Sequence, residues 1–130
     1  MHKHKNTVIA GSMLMVLGLA GAASAAPADD PAMIALATHS GCLTCHSIQP
    51  TAASDTKPKP VGPAWEEVSV KYKGQKDAVQ TLTATVMQGS NPYASHWKGK
   101  VSGLAMPPNA VAISPADANR LVRWILSLAP

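Results

Sequence analysis

The sequence predicts a small all-α domain, and three observations support this prediction. Proline and glycine divide the 130-residue chain into short segments, four of which carry helix signals. None of the stretches between these segments shows the alternation of apolar and polar residues that is typical of β-strands. Phenylalanine is absent from the chain, so the helices have few large side chains with which to build a core.

The first predicted helix is defined by its two ends. Asp30 is an N-cap residue, and Pro31 follows it at the first helical position, where proline is well tolerated. Ile34 and Ala37 share one face of this helix, and we expect the helix to end at Gly41.

The second and third predicted helices are defined by apolar residues at helical spacing. The second helix carries such residues on one face at Trp65, Val68 and Tyr72. The third helix carries them at Val79, Leu82 and Val86. Each helix is expected to end at a glycine, Gly74 for the second and Gly89 for the third.

The fourth predicted helix has the clearest sequence pattern of the four. Ser114 is its cap, Pro115 takes the first helical position, and Asp117 lies in the first turn, where negative charge is favourable. Its apolar residues form a continuous stripe, with Trp124 beside them: Leu121, Val122, Ile125 and Leu128.

Two long irregular stretches, 48–63 and 90–113, separate these helices and are rich in proline and glycine. Long loops in a compact domain usually have a function. Because large side chains are also scarce, we expect a bound apolar group, enclosed by the helices and loops, to complete the core.

The N-terminus has the pattern of a secretory signal peptide. Lys3 and Lys5 precede an apolar run over 8–23, which closes on the small residues 23–25. The run is shorter than the roughly 20 residues that span a bilayer, so cleavage after Ala25 is favoured over an uncleaved membrane anchor. The mature domain is then 26–130, exported to the periplasm and not membrane-spanning.

The charge of the mature domain gives little support to nucleic-acid binding. Since Lys3 and Lys5 lie in the leader, nine of the 11 Lys and Arg remain against seven Asp and Glu, a formal balance of +2. Seven lysines fall in the middle of the chain and form either an ordinary solvated face or a docking rim for an acidic partner. They are Lys57, Lys59, Lys71, Lys73, Lys76, Lys98 and Lys100.

The two cysteines of the chain lie in the segment Gly41-Cys42-Leu43-Thr44-Cys45-His46. This C-x-x-C-H pattern is typical of covalent attachment of c-type haem. Two thiols about one helical turn apart can form thioether bonds to the two haem vinyl groups, and His46 then presents its imidazole to the iron. The pattern predicts one haem c, covalently bound through Cys42 and Cys45.

The other interpretations of the cysteines are a disulfide between Cys42 and Cys45, which an oxidising compartment permits, and a zinc site. A redox-active disulfide of the thioredoxin type requires a βαβ context, and no strands are predicted. A zinc site requires further ligands at metal spacing, whereas the other candidates, His39, His46 and His96, are few and scattered. Haem attachment is favoured over both.

The second iron ligand has to come from elsewhere in the chain. Met33 and Met87 lie in predicted helices, where methionine usually fills gaps in a core. Met106 lies in a loop and is followed by two prolines, which would stiffen the segment and hold the thioether against a metal. His96 is the rival ligand. We favour Met106, because a His/Met pair is typical of electron carriers.

The chain resembles the small bacterial monohaem class I cytochromes c of periplasmic electron transport. The resemblance covers nearly the whole mature chain and rests on Asp30-Pro31, the segments 41–46 and 61–65, Gly89-Ser90, the segment 106–109 and the last helix with Trp124. The loop after His46 and the stretch 90–106 are longer than in the most compact members. Trp97 resembles a tryptophan of the family.

The resemblance implies a compact fold of about four short helices and long loops around one haem. It implies His46 and Met106 as the metal ligands, and a contact from the Pro63 carbonyl to His46 that would orient its ring. With both axial positions filled, the expected function is one-electron transfer rather than enzymatic catalysis. Expected partners are redox donors and acceptors that bind transiently.

Two alternatives to a free electron carrier stay open from the sequence. One is a peroxidase or gas-binding haem protein in which Met106 is absent from the iron or easily displaced. The other is a dedicated subunit of a larger periplasmic oxidoreductase, whereas the free carrier is expected to be a monomer.

Overall fold

The computed structural model describes residues 28–51, 56–93 and 95–129. Within these ranges the protein is helical, with four α-helices, one short 3-10 turn and no β-strand. The helices are α1 (Pro31–His39), α2 (Trp65–Tyr72), α3 (Ala78–Gln88) and α4 (Pro115–Leu126). The all-α prediction is thereby confirmed. The predicted leader, 1–25, lies outside the described residues.

The helix starts follow the predicted capping signals. The Asp30 carboxylate accepts hydrogen bonds from the backbone N–H groups of Ala32 and Met33, at 3.0 and 3.2 Å. The Ser114 hydroxyl accepts one from the N–H of Asp117 at 3.1 Å. Both caps are followed by proline at the first helical position.

The helix ends differ from the prediction in three places. Helix α2 ends at Tyr72, two residues before the predicted Gly74. Helix α1 ends at His39 rather than extending to Gly41, because the N–H of Gly41 bonds back to Thr38 and Gly41 adopts a left-handed conformation, with φ of 73°. Helix α4 ends at Leu126, so Leu128 lies beyond the helix although it is buried.

Helix α4 is the centre of the packing, because it contacts each of the other three α-helices. Trp65 of α2 meets Trp124 of α4 edge to face, with ring centroids 5.7 Å apart. The buried Ser69 hydroxyl of α2 donates to the Leu126 carbonyl and accepts from the N–H of Ala129, at 2.9 and 3.1 Å. These contacts fix the C-terminal segment against α2.

The apolar core is small and is made mainly of residues from α1, α2 and α4, against which the partly buried Leu82, Val86 and Met87 of α3 pack. Its buried members are Met33, Ala37, Trp65, Val68, Ile113, Ala118, Leu121, Trp124, Ile125 and Leu128. In the described ranges no helix has both the length and the apolar character needed to cross a membrane.

Candidate haem site

Cys42 begins a 3-10 turn, Cys42–Thr44, that the sequence did not predict, and Cys45 directly follows this turn. The Cys42 carbonyl accepts hydrogen bonds from the N–H groups of both Cys45 and His46, at 3.2 and 3.1 Å, so the whole motif is tightly wound. The two thiols do not form a disulfide with each other: Cys42 is half-buried and Cys45 is exposed. Burial raises the pKa of the Cys42 thiol, with a smaller rise from the nearby Cys45.

The His46 imidazole is oriented by a hydrogen bond to the loop before α2. Its Nδ1 lies 2.8 Å from the Pro63 carbonyl oxygen, and a carbonyl can only accept, so Nδ1 carries the proton. Burial lowers the pKa of His46, an effect partly offset by this hydrogen bond. The ring is therefore neutral at pH 7 and keeps the Nε2 lone pair for a metal.

Gly62 sets how closely the backbone approaches His46. A Cβ placed on Gly62 would lie only 2.6 Å from Cε1 and 2.8 Å from Nδ1 of the imidazole. The Gly62 N–H also donates to the Cys45 carbonyl at 2.8 Å. The loop before α2 is thus pinned to the haem-attachment motif, and a side chain at position 62 would push the ring away.

Met106 is anchored by its backbone to the residues that follow α3. Its N–H donates to the Ser90 hydroxyl, and its carbonyl accepts from the Ser90 N–H, both at 2.9 Å. Gly89 permits this approach, because a Cβ at that position would lie 2.8 Å from the Met106 carbonyl oxygen. Gly89 also has a φ of 86°, in the region that favours glycine.

Asn109 provides a second anchor for the same loop. Its side-chain amide donates to the carbonyls of Val86 and Pro107, at 3.1 and 2.7 Å, and its backbone N–H also donates to Val86. Val86 belongs to α3, so the segment around the two prolines is tied to the end of that helix. Met106 is therefore held by the bonds of its own backbone to Ser90 and by the bonds of Asn109, three residues later, to α3.

All four residues predicted for the site, Cys42, Cys45, His46 and Met106, line one cavity of about 490 Å³. The rival ligand His96 also lines it but is exposed, whereas Met106 is half-buried. The apolar wall comes largely from the helices: Trp65, Val68, Tyr72, Leu82, Val86, Leu121, Val122 and Ile125.

These residues fit a covalently bound haem. The cavity has free thiols at its rim for two thioethers, a neutral imidazole on its wall for the iron, and an apolar lining for the porphyrin. The cavity also borders the core at Trp65, Val68, Leu121 and Ile125, which agrees with the expectation that a bound apolar group completes the core. The described ranges hold no cluster of three or more His, Cys, Asp or Glu that could bind a metal by itself.

Sequence reasoning assigned no function to three residues that position the site: Gly62, Ser90 and Asn109. Each lies in a segment that carried the resemblance, but its task depends on a contact with a residue at least 16 positions away. Two features of the sequence could have pointed to them: Ser90 follows Gly89 at the end of a predicted helix, and Asn109 follows two prolines.

Known proteins similar to the chain are small cytochromes. The cytochrome c-552 of Hydrogenobacter thermophilus is 38% identical over 93 residues, which cover 72% of this chain and 78% of that protein. The cytochrome c-551 of Allochromatium vinosum is 40% identical over 95 residues, covering 73% and 84%. No protein-family model matches the chain.

Solved structures agree with these relatives. The crystal structure of Nitrosomonas europaea cytochrome c552 aligns with a TM-score of 0.54 at 35% identity, covering 73% of this chain and 98% of that one. The class 1 cytochrome MtoD of Sideroxydans lithotrophicus aligns with a TM-score of 0.54 at 29% identity, covering 77% and 96%.

Proposed function

Since this chain belongs to the small class I cytochromes c, we propose that His46 and Met106 are the axial iron ligands of a periplasmic one-electron carrier. Membership of the family establishes electron transfer by one covalent haem c, attached at Cys42 and Cys45. Our proposal concerns the axial ligand pair, the periplasmic location and the absence of enzymatic turnover.

The observation that supports the ligand pair is the rigid support behind each residue. His46 is oriented by the Pro63 carbonyl, and Met106 is clamped to Ser90 on both its N–H and its carbonyl. Such support raises the basicity of the imidazole and keeps a weakly bound thioether in place. The bound haem supplies the couple between Fe(II) and Fe(III), and a thioether ligand favours the reduced state.

The same supports suit electron transfer rather than catalysis. Two protein ligands leave the iron no open position for a substrate. Because both ligands are held by backbone contacts, little should move when the iron changes oxidation state, and a small rearrangement permits fast exchange. The helices give the cavity an apolar wall, while the exposed Cys45 marks an edge that a partner can approach.

The ligand assignment is tested by comparing Met106→Ala with His96→Ala in the ferric protein. Met106→Ala should lose the weak far-red absorption band of Met-ligated haem, bind cyanide or imidazole much faster and have a lower reduction potential. Met106→His should stay six-coordinate at a lower potential.

His96→Ala is the matched control and should keep the band and the potential. If His96→Ala opens the coordination position instead, the haem has two histidine ligands and the assignment is wrong. Rapid cyanide binding and peroxide turnover by the unaltered protein would favour an enzyme over a carrier.

The compartment follows from the predicted signal peptide, and the family relatives are bacterial c-type cytochromes. Export with cleavage after Ala25 should give a mature chain that begins at Ala26 and carries one haem in mass spectrometry. A cytoplasmic holoprotein that keeps residues 1–25 would contradict this. A monomer in size-exclusion chromatography would separate a free carrier from a dedicated subunit.

A further inference from the structure

The plane of the His46 ring needs more than its hydrogen bond to be defined. The bond from Nδ1 to the Pro63 carbonyl, at 2.8 Å, holds one atom of the ring. A turn of the imidazole about its bond to Cβ moves Nδ1 only slightly, and the torsion concerned has broad energy wells. A defined plane therefore requires contacts with the faces of the ring.

Gly62 lies over one face of the imidazole. A Cβ built on Gly62 would be 2.6, 2.8 and 3.0 Å from Cε1, Nδ1 and Nε2 of His46. Nearly equal distances to three ring atoms place this point above the ring plane rather than beyond an edge. Because glycine has no side chain, the contact limits how closely the ring approaches the loop but presents little surface to hold its plane.

The Trp65 indole does present such a surface, because it is stacked on the His46 imidazole. The two ring centroids are 5.8 Å apart and the planes are inclined by 25°, as in offset-stacked aromatic pairs. Trp65 is buried and lines the haem cavity together with His46. A turn of the imidazole would push ring atoms against the indole or open a gap beside it.

The backbones that carry the two rings are bonded to each other on both sides of His46. The N–H of Gly62 donates to the Cys45 carbonyl at 2.8 Å, and the N–H of Trp65 donates to the Ser47 carbonyl at 2.9 Å. The two rings therefore extend from backbone positions that cannot shift independently. Their stacking is fixed by the way the chain enters α2.

Trp65 is itself held by α4. Trp124 meets the indole edge to face, with centroids 5.7 Å apart and planes inclined by 81°. Trp124 is buried in the core cluster and does not line the haem cavity. The rings of Trp124, Trp65 and His46 thus form a continuous contact from the core to the proposed iron ligand.

We propose that Trp65 is a positioning residue for electron transfer, whose indole, held by Trp124, fixes the plane of the His46 imidazole. The plane of an imidazole ligand determines which iron d orbitals overlap with its π system, and so how the unpaired electron is distributed over a ferric haem. A ring held in one plane also has little to rearrange when the iron changes oxidation state. The proposal rests on the ligand pair proposed above and concerns how one member of the pair is held.

The proton NMR spectrum of the ferric cyanide complex of the holoprotein isolates the imidazole. Cyanide is linear, so it imposes no orientation of its own when it takes the position opposite His46. The order and spacing of the haem-methyl resonances then depend on the imidazole plane. Trp65→Leu should shift these resonances and change their order, whereas Trp65→Phe, which keeps a flat ring, should stay close to the unaltered protein.

Met33→Ala is the matched control for loss of packing. Met33 is buried in the same core as Trp65 but does not line the haem cavity. The variant should lower the midpoint of thermal unfolding and leave the haem-methyl pattern unchanged. An unchanged pattern in Trp65→Leu, or the same change in Trp65→Leu and Met33→Ala, would overturn the proposal.

The unaltered holoprotein provides a test that needs no variant to fold. In the cyanide complex, the haem-methyl shifts should be linear in inverse temperature, as expected for a single imidazole plane. In the ferrous protein, nuclear Overhauser contacts should join the Trp65 indole protons to those of the His46 ring. Curved temperature plots or missing contacts would mean that the indole does not hold the ring, and would refute the proposal.

The same spectra separate this proposal from the proposed function. If the His46 ring protons show no paramagnetic shift in the ferric protein, His46 is not an iron ligand and the ligand pair itself fails. Paramagnetically shifted His46 protons, with a haem-methyl pattern that ignores Trp65→Leu, remove only the role of Trp65.

Discussion

At the scale of single residues, the site depends on close contacts that only glycine allows. Gly62 approaches the imidazole of His46 so closely that any side chain would displace the ring, and Gly89 approaches the Met106 carbonyl in the same way. These two glycines stand behind the two proposed ligands.

Gly62→Ala is therefore expected to tilt the His46 ring and weaken its hydrogen bond to Pro63. The free energy of unfolding should fall by about 1 to 3 kcal/mol, the cost of leaving a buried polar group unsatisfied. The reduction potential should rise, because a less basic imidazole stabilises Fe(III) less well. Denaturant titration and voltammetry on the holoprotein measure both quantities.

Gly74→Ala is the control for this experiment. Gly74 has a φ of 77° and open space around its Cα, so alanine should cost about 1 kcal/mol in backbone strain alone. The reduction potential should not change. An equal shift of potential in both variants would contradict a specific role for Gly62.

At the scale of elements, the ligand loops are attached to helix ends rather than to helix faces. The Met106 loop is bonded to the last turn of α3 and to Ser90, which follows it, whereas the His46 segment is bonded to the loop that enters α2. Helix α4 packs on both α2 and α3. The packing of the helices therefore determines where the His46 segment and the Met106 loop lie on the two sides of the cavity.

Asn109→Ala tests the attachment of the Met106 loop to α3. Loss of its two side-chain hydrogen bonds should lower the free energy of Met106 ligation by about 1.4 kcal/mol, within the usual range for such bonds. Imidazole should then displace Met106 from the ferric protein with an affinity about tenfold higher. Absorption titration in the far-red band measures this affinity.

The matched control is Asn119→Ala on the outer surface of α4, where Asn119 accepts an exposed hydrogen bond from Arg123 at 2.9 Å. Exposed bonds contribute little, so the imidazole affinity should stay the same. A tenfold change in both variants would indicate general loosening of the protein and not release of the Met106 loop.

At the scale of the whole molecule, the haem is part of the core. The helices and loops line a cavity of about 490 Å³ whose wall is largely apolar. Because the helices bury few large side chains among themselves, covering this wall with haem should supply a substantial part of the stability of the domain.

The double variant Cys42→Ala/Cys45→Ala, which cannot attach haem, should accordingly lose most of its helical circular dichroism and its cooperative thermal transition. Added haem should restore part of the signal by binding without thioethers. The unaltered holoprotein under the same conditions is the reference. A cooperative transition in the haem-free variant at the temperature of the holoprotein would show that the helices need no haem to fold.

The sequence by itself determined the helices, the haem-attachment motif and the candidate ligands. These features are local: Asp30 and Ser114 cap the helices they precede, and the spacing of Cys42, Cys45 and His46 lies within a few residues. Local signals of this kind can be recognised without knowing where the rest of the chain lies. The ends of α1 and α2 and the 3-10 turn were not predicted, because one more hydrogen bond at a helix end depends on small differences in energy.

Only the tertiary structure decided which distant segments meet. The contacts of His46 with Pro63, of Met106 with Ser90 and of Asn109 with Val86 join residues 16 to 23 positions apart. A second cavity likewise brings residues 66–71 together with residues 96–100 and 128–129. Such contacts depend on how α4 packs against α2 and α3, and no pattern in a single segment encodes that packing.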